Sequence, residues 1–487
     1  MFHSIDKPTV NDLISPYSRL ADADRDVAVR YAPILQFDAA EPFLPLAVGY
    51  TLFRANGPSP SFPRQIRLDE PGQPPASLAI EYAIWWDWDI EHLYELEHAW
   101  VYLDDAGQVI RAEASWHGRL HDMSVETGLP LTGERLTLYS EPGKHAFAPT
   151  TTWFEQRKEK TERACTRLAG CDGLLVTRLF EGLIRSKTPP ANRLAHTYLE
   201  QRAFRPTWAF TQVYPIPKEA LVPWPALFDW IPGRLAWWVA ELEQTIPPHE
   251  RRFLRIAHRG ASAYAPENTL AAIHKAAELG ADMVELDVQV SADGVPIIIH
   301  DLDLSRLNGS SASVARQNLA DLKRIDAGGG ETIPTLTEAI EACLAHDLGL
   351  YLELKSGPAI EAVAEQIRQQ RLYNQVIVTS FRPDWLAQLK RLEPKIDTSI
   401  LFGAVQLDPV ALAQSIGAAY VHPAWENQAP EPHKLLTPAW LSRVRAAGLG
   451  LICWHEERPA EIAALRQLGV DGICSDAPDL LILGGEL

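Results

Sequence analysis

Between Leu254 and Asp301 the chain reads LRIAHRGASAYAPENTLAAIHKAAELGADMVELDVQVSADGVPIIIHD, which sets two histidines, an arginine and paired carboxylates at the ends of apolar runs. Imidazole titrates near neutral pH and moves protons in either direction. Carboxylates two residues apart on a strand share one face and can hold a hard cation together. The elements that must position them follow from the periodicity. An apolar run, Leu254 to Ala257, delivers His258 and Arg259 into a glycine turn. A helix from about Asn268 to Leu279 then turns Leu270, Ile273 and Ala277 inward. The next strand, Met283 to Val290, puts Glu285, Asp287 and Gln289 on one face and Val284, Leu286 and Val288 on the other. Ala292-Asp293-Gly294 is a tight turn, and the run Pro296 to Ile299 ends in His300 and Asp301. Too few residues separate the two runs for a crossover helix, so they read as a hairpin that folds His300 back opposite Glu285. One site containing His258, Arg259, Glu285, Asp287 and His300 is the expectation.

Beyond His300, apolar runs and amphipathic helices alternate. Helices are expected at Asn318 to Ile325 and Leu336 to His346, then strands at Leu350 to Leu354, Val376 to Ser380, Ser399 to Phe402, Ala419 to His422, Leu449 to Trp454 and Gly472 to Ser475. With Leu254 to Ala257 and Met283 to Asp287, and without the returning hairpin arm, the strands number eight, a (β/α)8 barrel. If the returning arm is instead a barrel strand, another must lie outside the ring; the count leaves this open. Chemistry in such barrels sits at the carboxyl ends of the strands, where His258, Glu285, Glu353, Lys355, Phe381, His422 and Trp454 all fall. Glu353-Leu354-Lys355 repeats the alternation of Glu285-Leu286-Asp287, so a third carboxylate completes an oxygen site for calcium or magnesium.

The ordered pieces HRG, PENT, ELDV, the ADG turn, HD, ELK at Glu353 to Lys355 and Cys453-Trp454 resemble the signature of the glycerophosphodiester phosphodiesterase family, from about Arg255 to about Leu481. The resemblance implies the TIM barrel and metal-dependent hydrolysis of a small-molecule glycerophosphodiester to sn-glycerol 3-phosphate and an alcohol. It implies His258 and His300 as general acid and base, in an order left open, and Glu285, Asp287 and Glu353 as ligands of Ca2+ or Mg2+. Arg259 and Lys355 would meet the phosphate and Trp454 would wall the substrate pocket. It further implies attack by the neighbouring glycerol hydroxyl, with a cyclic intermediate opened by water. The chain departs from the family where W-T-V-N is common, reading Trp454-His455-Glu456-Glu457, so head-group preference does not carry over. The segment between His300 and Glu353 is short, and the larger capping insertion of some relatives is not expected.

With 487 residues the chain exceeds one ordinary core. Residues 1–215 carry short strand-like runs (Leu44 to Phe53, Leu78 to Trp86, His98 to Leu103, Val109 to Trp116, Arg135 to Ser140), an Asp104-Asp105-Ala106-Gly107 turn and Pro/Gly loops. They read as a mostly antiparallel β-sandwich with a helical patch near Leu174 to Ile184. Residues 216–250 are Pro- and Trp-rich and read as a connector with a short helix, Arg234 to Gln244, fixing the halves together; the sharper alternative is an aromatic surface that meets a membrane or lipid tail. Residues 251–487 are the barrel. In the first part His92, Glu95 and Glu97 place a nitrogen and two carboxylates within reach of one ion, a second metal site. With Gly143-Lys144-His145 they resemble the H-x-x-D-x-E motif of the necrosis- and ethylene-inducing toxin-like sandwich families, Glu95 replacing the aspartate; a charged solvated loop is the alternative.

The net charge of −18 argues against nucleic-acid binding and against attraction to anionic lipid. Five cysteines without a C-x-x-C pair read as reduced thiols. Neither a signal peptide at MFHSIDKPTV nor a membrane-spanning run is read, so a cytoplasmic enzyme is the default. Two other functions stay open beside the phosphodiesterase: a lysophospholipase D-like enzyme holding an acyl chain on the Trp-rich segment, and a non-catalytic lipid- or metal-binding protein.

Overall fold

The computed structural model describes residues 9–14 and 22–482. Its described residues form two compact units, one running to Lys187 and resuming over Leu194–Ile246, the other made of Thr188–Arg193 and the chain from Pro247 onward.

In the first unit one sheet orders Phe147–Ala148, Arg135–Ser140, Ile34–Phe37 and Gln212–Pro215 side by side. The other orders Leu221–Pro223, Ala47–Phe53, Leu78–Trp88, His92–Leu103, Val109–Trp116 and Arg119–Asp122. Phe37, Leu136 and Leu138 of the first sheet share one buried core with Val48, Ile80, Tyr82 and Ile84 of the second, so the sheets form a sandwich. Its ladders are mostly antiparallel, with parallel pairs where Ile34–Phe37 meets Arg135–Ser140, Leu221–Pro223 meets Ala47–Phe53 and Gly173–Leu174 meets the start of His92–Leu103.

Three expectations change here. The acidic stretch from His92 is itself strand, paired so that Trp86 faces Glu95 and Ile84 faces Glu97. The helical patch near Leu174 is a two-residue strand and a 3-10 turn, Arg178–Phe180, because Gly173 and Gly182 take left-handed φ of 61° and 79° that interrupt a helix. The Pro- and Trp-rich stretch holds a 22-residue helix, Trp224–Thr245, longer than expected. It buries Trp224, Leu227, Ile231, Leu235 and Leu242 in the first unit's core. Pro225 falls in the first turn, where a missing N–H costs no helix bond, and Arg234 ion-pairs with Asp87 at 2.5 Å.

In the second unit eight parallel strands close a ring: Leu254–Ala257, Met283–Val290, Gly349–Leu354, Val376–Ser380, Asp397–Phe402, Tyr420–Pro423, Gly450–Cys453 and Gly472–Ser475. The first pairs with both the second (Ile256 with Met283) and the eighth (Leu254 with Gly472), which removes every edge. The returning arm, Pro296–Ile298, pairs antiparallel to the outer end of the second strand and stands outside the ring, which resolves the strand count. The expected helix at Asn318 is one turn, Leu319–Leu322.

At the amino end of the ring Asp282 fastens the first strand to the second. Its carboxylate takes the Arg255 amide and guanidinium at 2.9 to 3.0 Å and Arg252 at 2.6 Å. Burial alone would raise its pKa, but the Arg255 hydrogen bonds and the Arg252 charge bring it below the usual carboxylate value. Such a group adds stability above its unfolded pKa of ~4 and loses it as pH falls through the lower folded value. Asp282→Asn is therefore expected to cost about 2 kcal/mol at pH 7 in urea unfolding, with the gap to the parent protein closing below pH ~4.

Candidate functional site

The mouth of the barrel is organised by charge. Register sets Asp287 of the second strand beside Glu353 of the third, and Glu285 shares the face of Asp287. All three carboxylates are buried, and each offers an oxygen within 4.8 Å of the others. Burial, then the charges of Asp287 and Glu353, push the Glu285 carboxyl well above its usual pKa; burial and Asp287 push Glu353 up to about 7. Glu285 Oε2 accepts the Arg259 amide at 2.9 Å, while its buried Oε1 has no hydrogen-bond partner. An orphan acceptor amid three acidic oxygens fits a hard divalent cation. Lys355 lies 2.9 Å from Glu353 and 3.4 Å from Asp287, and Asn268 donates to Asp287 at 2.8 Å.

The HRG turn aims its residues with uncommon backbone. Arg259 takes φ 54°, which turns its amide onto Glu285 and brings its guanidinium 3.5 Å from Asp287. Gly260 follows at φ 82°, and a Cβ there would lie 2.5 Å from Ala272 Cβ, so only glycine lets this turn approach the helix Leu270–Glu278. His258 Nδ1 lies 2.6 Å from Asp476 Oδ1. Burial works against the Asp476 charge, yet the His258 hydrogen bond holds its pKa at about 2, so the carboxylate accepts and Nδ1–H donates. The lone pair of His258 Nε2 is left free, 4.0 Å from Glu285. Burial lowers the pKa of His258 itself.

His300 lies near this group but not where the hairpin was expected to put it. Register sets Ile298 against Val288, and the Ile299 amide bonds the Asp287 carbonyl at 2.9 Å. His300 therefore leaves the ladder just beyond Asp287 rather than opposite Glu285. Its Nδ1 meets Asp301 at 2.7 Å, Asp301 meets Arg306 at 2.6 Å, and Glu267 bridges Arg306 to Arg259. His300, Asp301, Leu302, Arg306 and Lys355 line an open recess of about 510 Å3. Trp454 stands between His258, Phe381 and His422 with ring centroids 5.4 to 5.7 Å away, and His455 stacks on His258 at 5.1 Å.

The structure thus brings together His258, Arg259, Glu285, Asp287, Glu353, Lys355 and Trp454, with His300 at the edge of the group. Sequence reasoning missed Asp476, Asn268, Glu267 and Arg306. Asp476 directly follows the eighth strand, so the strand-end rule pointed to it, and Glu267 and Asn268 are the middle of PENT. Arg306 carried no signal of its own.

In the first unit the predicted metal set changes by one residue. His92 Nδ1 meets the Tyr94 carbonyl at 2.7 Å and must donate there, which leaves Nε2 as an acceptor 3.7 Å from Asp89 and 3.8 Å from Glu95. Asp89, His92 and Glu95 lie within ligand distance of one another, and buried Asp89 Oδ2 has no partner. Glu97 is instead bonded by Ser115, since residues two apart on the strand turn to the same side but lie one pleat further along. Lys144 already meets Asp89 at 2.8 Å and Glu91 at 2.6 Å.

By fold and site the second unit is a (β/α)8 barrel whose mouth sets three buried carboxylates beside Arg259, Lys355 and two histidines, an arrangement suited to phosphate-ester chemistry. The model of the glycerophosphoryl diester phosphodiesterase family matches residues 258–480. A glycerophosphodiester phosphodiesterase of Caldanaerobacter subterraneus subsp. tengcongensis is 34% identical over 241 residues, 47% of this chain and 96% of its own. Glycerophosphodiester phosphodiesterase 1 of Rattus norvegicus is 32% identical over 185 residues, 36% of this chain and 54% of its own. Among solved structures, an Oleispira antarctica phosphodiesterase in complex with the product sn-glycerol-3-phosphate is 32% identical with a TM-score of 0.41, covering 46% of this chain and 94% of that one. The chain belongs to the glycerophosphoryl diester phosphodiesterase family.

Glu353 binds its proton more tightly folded than unfolded, so the cation-free protein loses stability as pH rises from ~4.3 toward 7. Divalent cation at about 100 times its Kd should restore about 2.7 kcal/mol in thermal or urea unfolding at pH 7.5, and Glu285→Gln should lose most of that gain.

Proposed function

We propose that the barrel hydrolyses glycerophosphodiesters to sn-glycerol 3-phosphate and an alcohol, with Ca2+ or Mg2+ held by Glu285, Asp287 and Glu353. The observation that carries this is the orphan Glu285 oxygen within a buried trio of carboxylates, flanked by Arg259, Lys355 and a histidine with a free lone pair. Bound there, the cation would neutralise phosphate oxygens.

Arg259 and Lys355 hold the diester's remaining negative charge and orient the phosphorus. His258 is neutral, with Nδ1–H committed to Asp476, so Nε2 takes the proton of the glycerol hydroxyl beside the phosphate. Asp476 then stabilises the imidazolium and keeps the ring in that tautomer, as a positioning residue. His300, backed by Asp301, gives a proton to the departing alkoxide from the recess side. Water then opens the cyclic diester with the two histidines in reversed roles. The Trp454 ring, packed against His258 and His422, walls the side of the site opposite the recess.

A lysophospholipid substrate is the second reading, favoured by one observation: Leu302 and Phe381 are 67% and 44% exposed, apolar surface beside His300 and Trp454 for an acyl chain. A cytoplasmic setting is supported by five free cysteines.

Release of glycerol 3-phosphate from glycerophosphocholine and glycerophosphoethanolamine, with chelator and then with Ca2+ or Mg2+, tests the reading. Cation-dependent release is expected, with His258→Ala and His300→Ala each lowering kcat by about 10²- to 10⁴-fold. Unchanged turnover in His258→Ala would remove the assignment, and turnover confined to a lysophospholipid would favour the second substrate.

A further inference from the structure

The placement of His300 poses a problem that the strand ladder does not solve. The returning arm pairs with the second strand only from Pro296 to Ile298, and the Ile299 amide makes the last backbone contact, to Asp287. The carbonyls of Ile299, His300 and Asp301 then curl away from the ladder, where buried or half-buried carbonyls need donors. Gln289 supplies them. Its Nε2 reaches Ile299 O at 2.9 Å, His300 O at 3.1 Å and Asp301 O at 2.7 Å. The orientation of the carboxamide is fixed, because an oxygen in that place would face three acceptors. Gln289 is only 2% exposed, so desolvation of its amide is offset by these bonds.

Gln289 lies on the same strand and the same face as Glu285 and Asp287. It therefore ties the backbone of His300 to the strand that carries two of the three carboxylates. Around it the turn is flanked by Ile299 and Leu304 in a buried apolar cluster, by the Val314 amide on the Leu302 carbonyl at 3.0 Å, and by the half-buried pairs of Arg306 with Asp301 and Glu267, but none of these reaches the His300 carbonyl itself. We infer that Gln289 is a positioning residue for the reaction: its carboxamide gathers three successive carbonyls around one donor and so sets the reach of His300 toward the phosphorus. This rests on the reading of His300 as proton donor given above.

A double-mutant cycle with His300→Ala tests it, using steady-state turnover of whichever glycerophosphodiester the parent protein cleaves. Gln289→Met keeps the volume and removes the donor. We expect kcat to fall about 10- to 100-fold, as for a misplaced catalytic group, with KM and calorimetric cation affinity held within about threefold. In the His300→Ala background the same substitution should cost less than about twofold. Gln289→Lys, which returns an N–H donor, should turn over faster than Gln289→Met, and it serves as the active arm if the Met variant does not fold. The inference is overturned if Gln289→Met keeps the parent kcat while His300→Ala abolishes it, or if its cost persists undiminished in His300→Ala. Full activity in His300→Ala would instead sink the role of His300, and the inference with it.

Discussion

Three carboxylates buried at the ends of two adjacent strands are the constraint on which the barrel's mouth depends. Like charges this close in a low-dielectric setting cannot all ionise without compensation. The surroundings are built to supply it: Lys355 between Asp287 and Glu353, the Asn268 amide on Asp287, and the Arg259 amide and guanidinium on Glu285 and Asp287. Much of the local backbone serves this arrangement. Arg259 and Asn268 both take left-handed φ, 54° and 57°, and Gly260 is the turn that lets the loop sit against its helix. Strain of this kind persists only where neighbouring structure determines it, and here the return is a set of donors aimed at one charge cluster.

The same cluster explains why both histidines are oriented by carboxylates of their own. His258 must present a bare Nε2 toward the acidic group, and Asp476 secures that by taking the Nδ1 proton. His300 is oriented by Asp301, which Arg306 holds, and Glu267 links this chain back to Arg259. The basic side chains and both histidines are thereby joined in one network rather than set out as separate residues.

Much of this was legible in the sequence, because strand periodicity is strict. Period two alone put Glu285 with Asp287 and predicted the alternation repeated at Glu353 and Lys355; the turn residues marked a hairpin but left open whether its returning arm belonged to the ring, which the antiparallel pairing of Pro296–Ile298 settles. Asp476 stood at a strand end, but its pairing with His258, 218 residues away, was not legible; Arg306 carried no pattern of its own; and His300 was placed slightly wrong because the ladder ends before reaching it. In the first unit the prolines of residues 216–250 masked a long helix that carries Pro225 in its first turn and runs on through Pro232. Glu97 looked like a ligand by spacing, but only pairing with the neighbouring strands reveals that it meets Ser115 while Asp89 turns toward His92. The family match covers residues 258–480, and the first unit has its own buried cluster with Lys144 as a built-in cation.

The most direct test of the account is calorimetric titration of Mg2+ or Ca2+ into the cation-free full chain at pH 7 in buffers of different ionisation enthalpy. If the buried carboxylates hold protons until a cation arrives, binding must release protons, visible as a buffer-dependent heat. The account predicts such release in the parent protein and its loss, together with at least about tenfold in affinity, in Glu285→Gln. Binding with no proton release, or binding equally tight in Glu285→Gln, would contradict it.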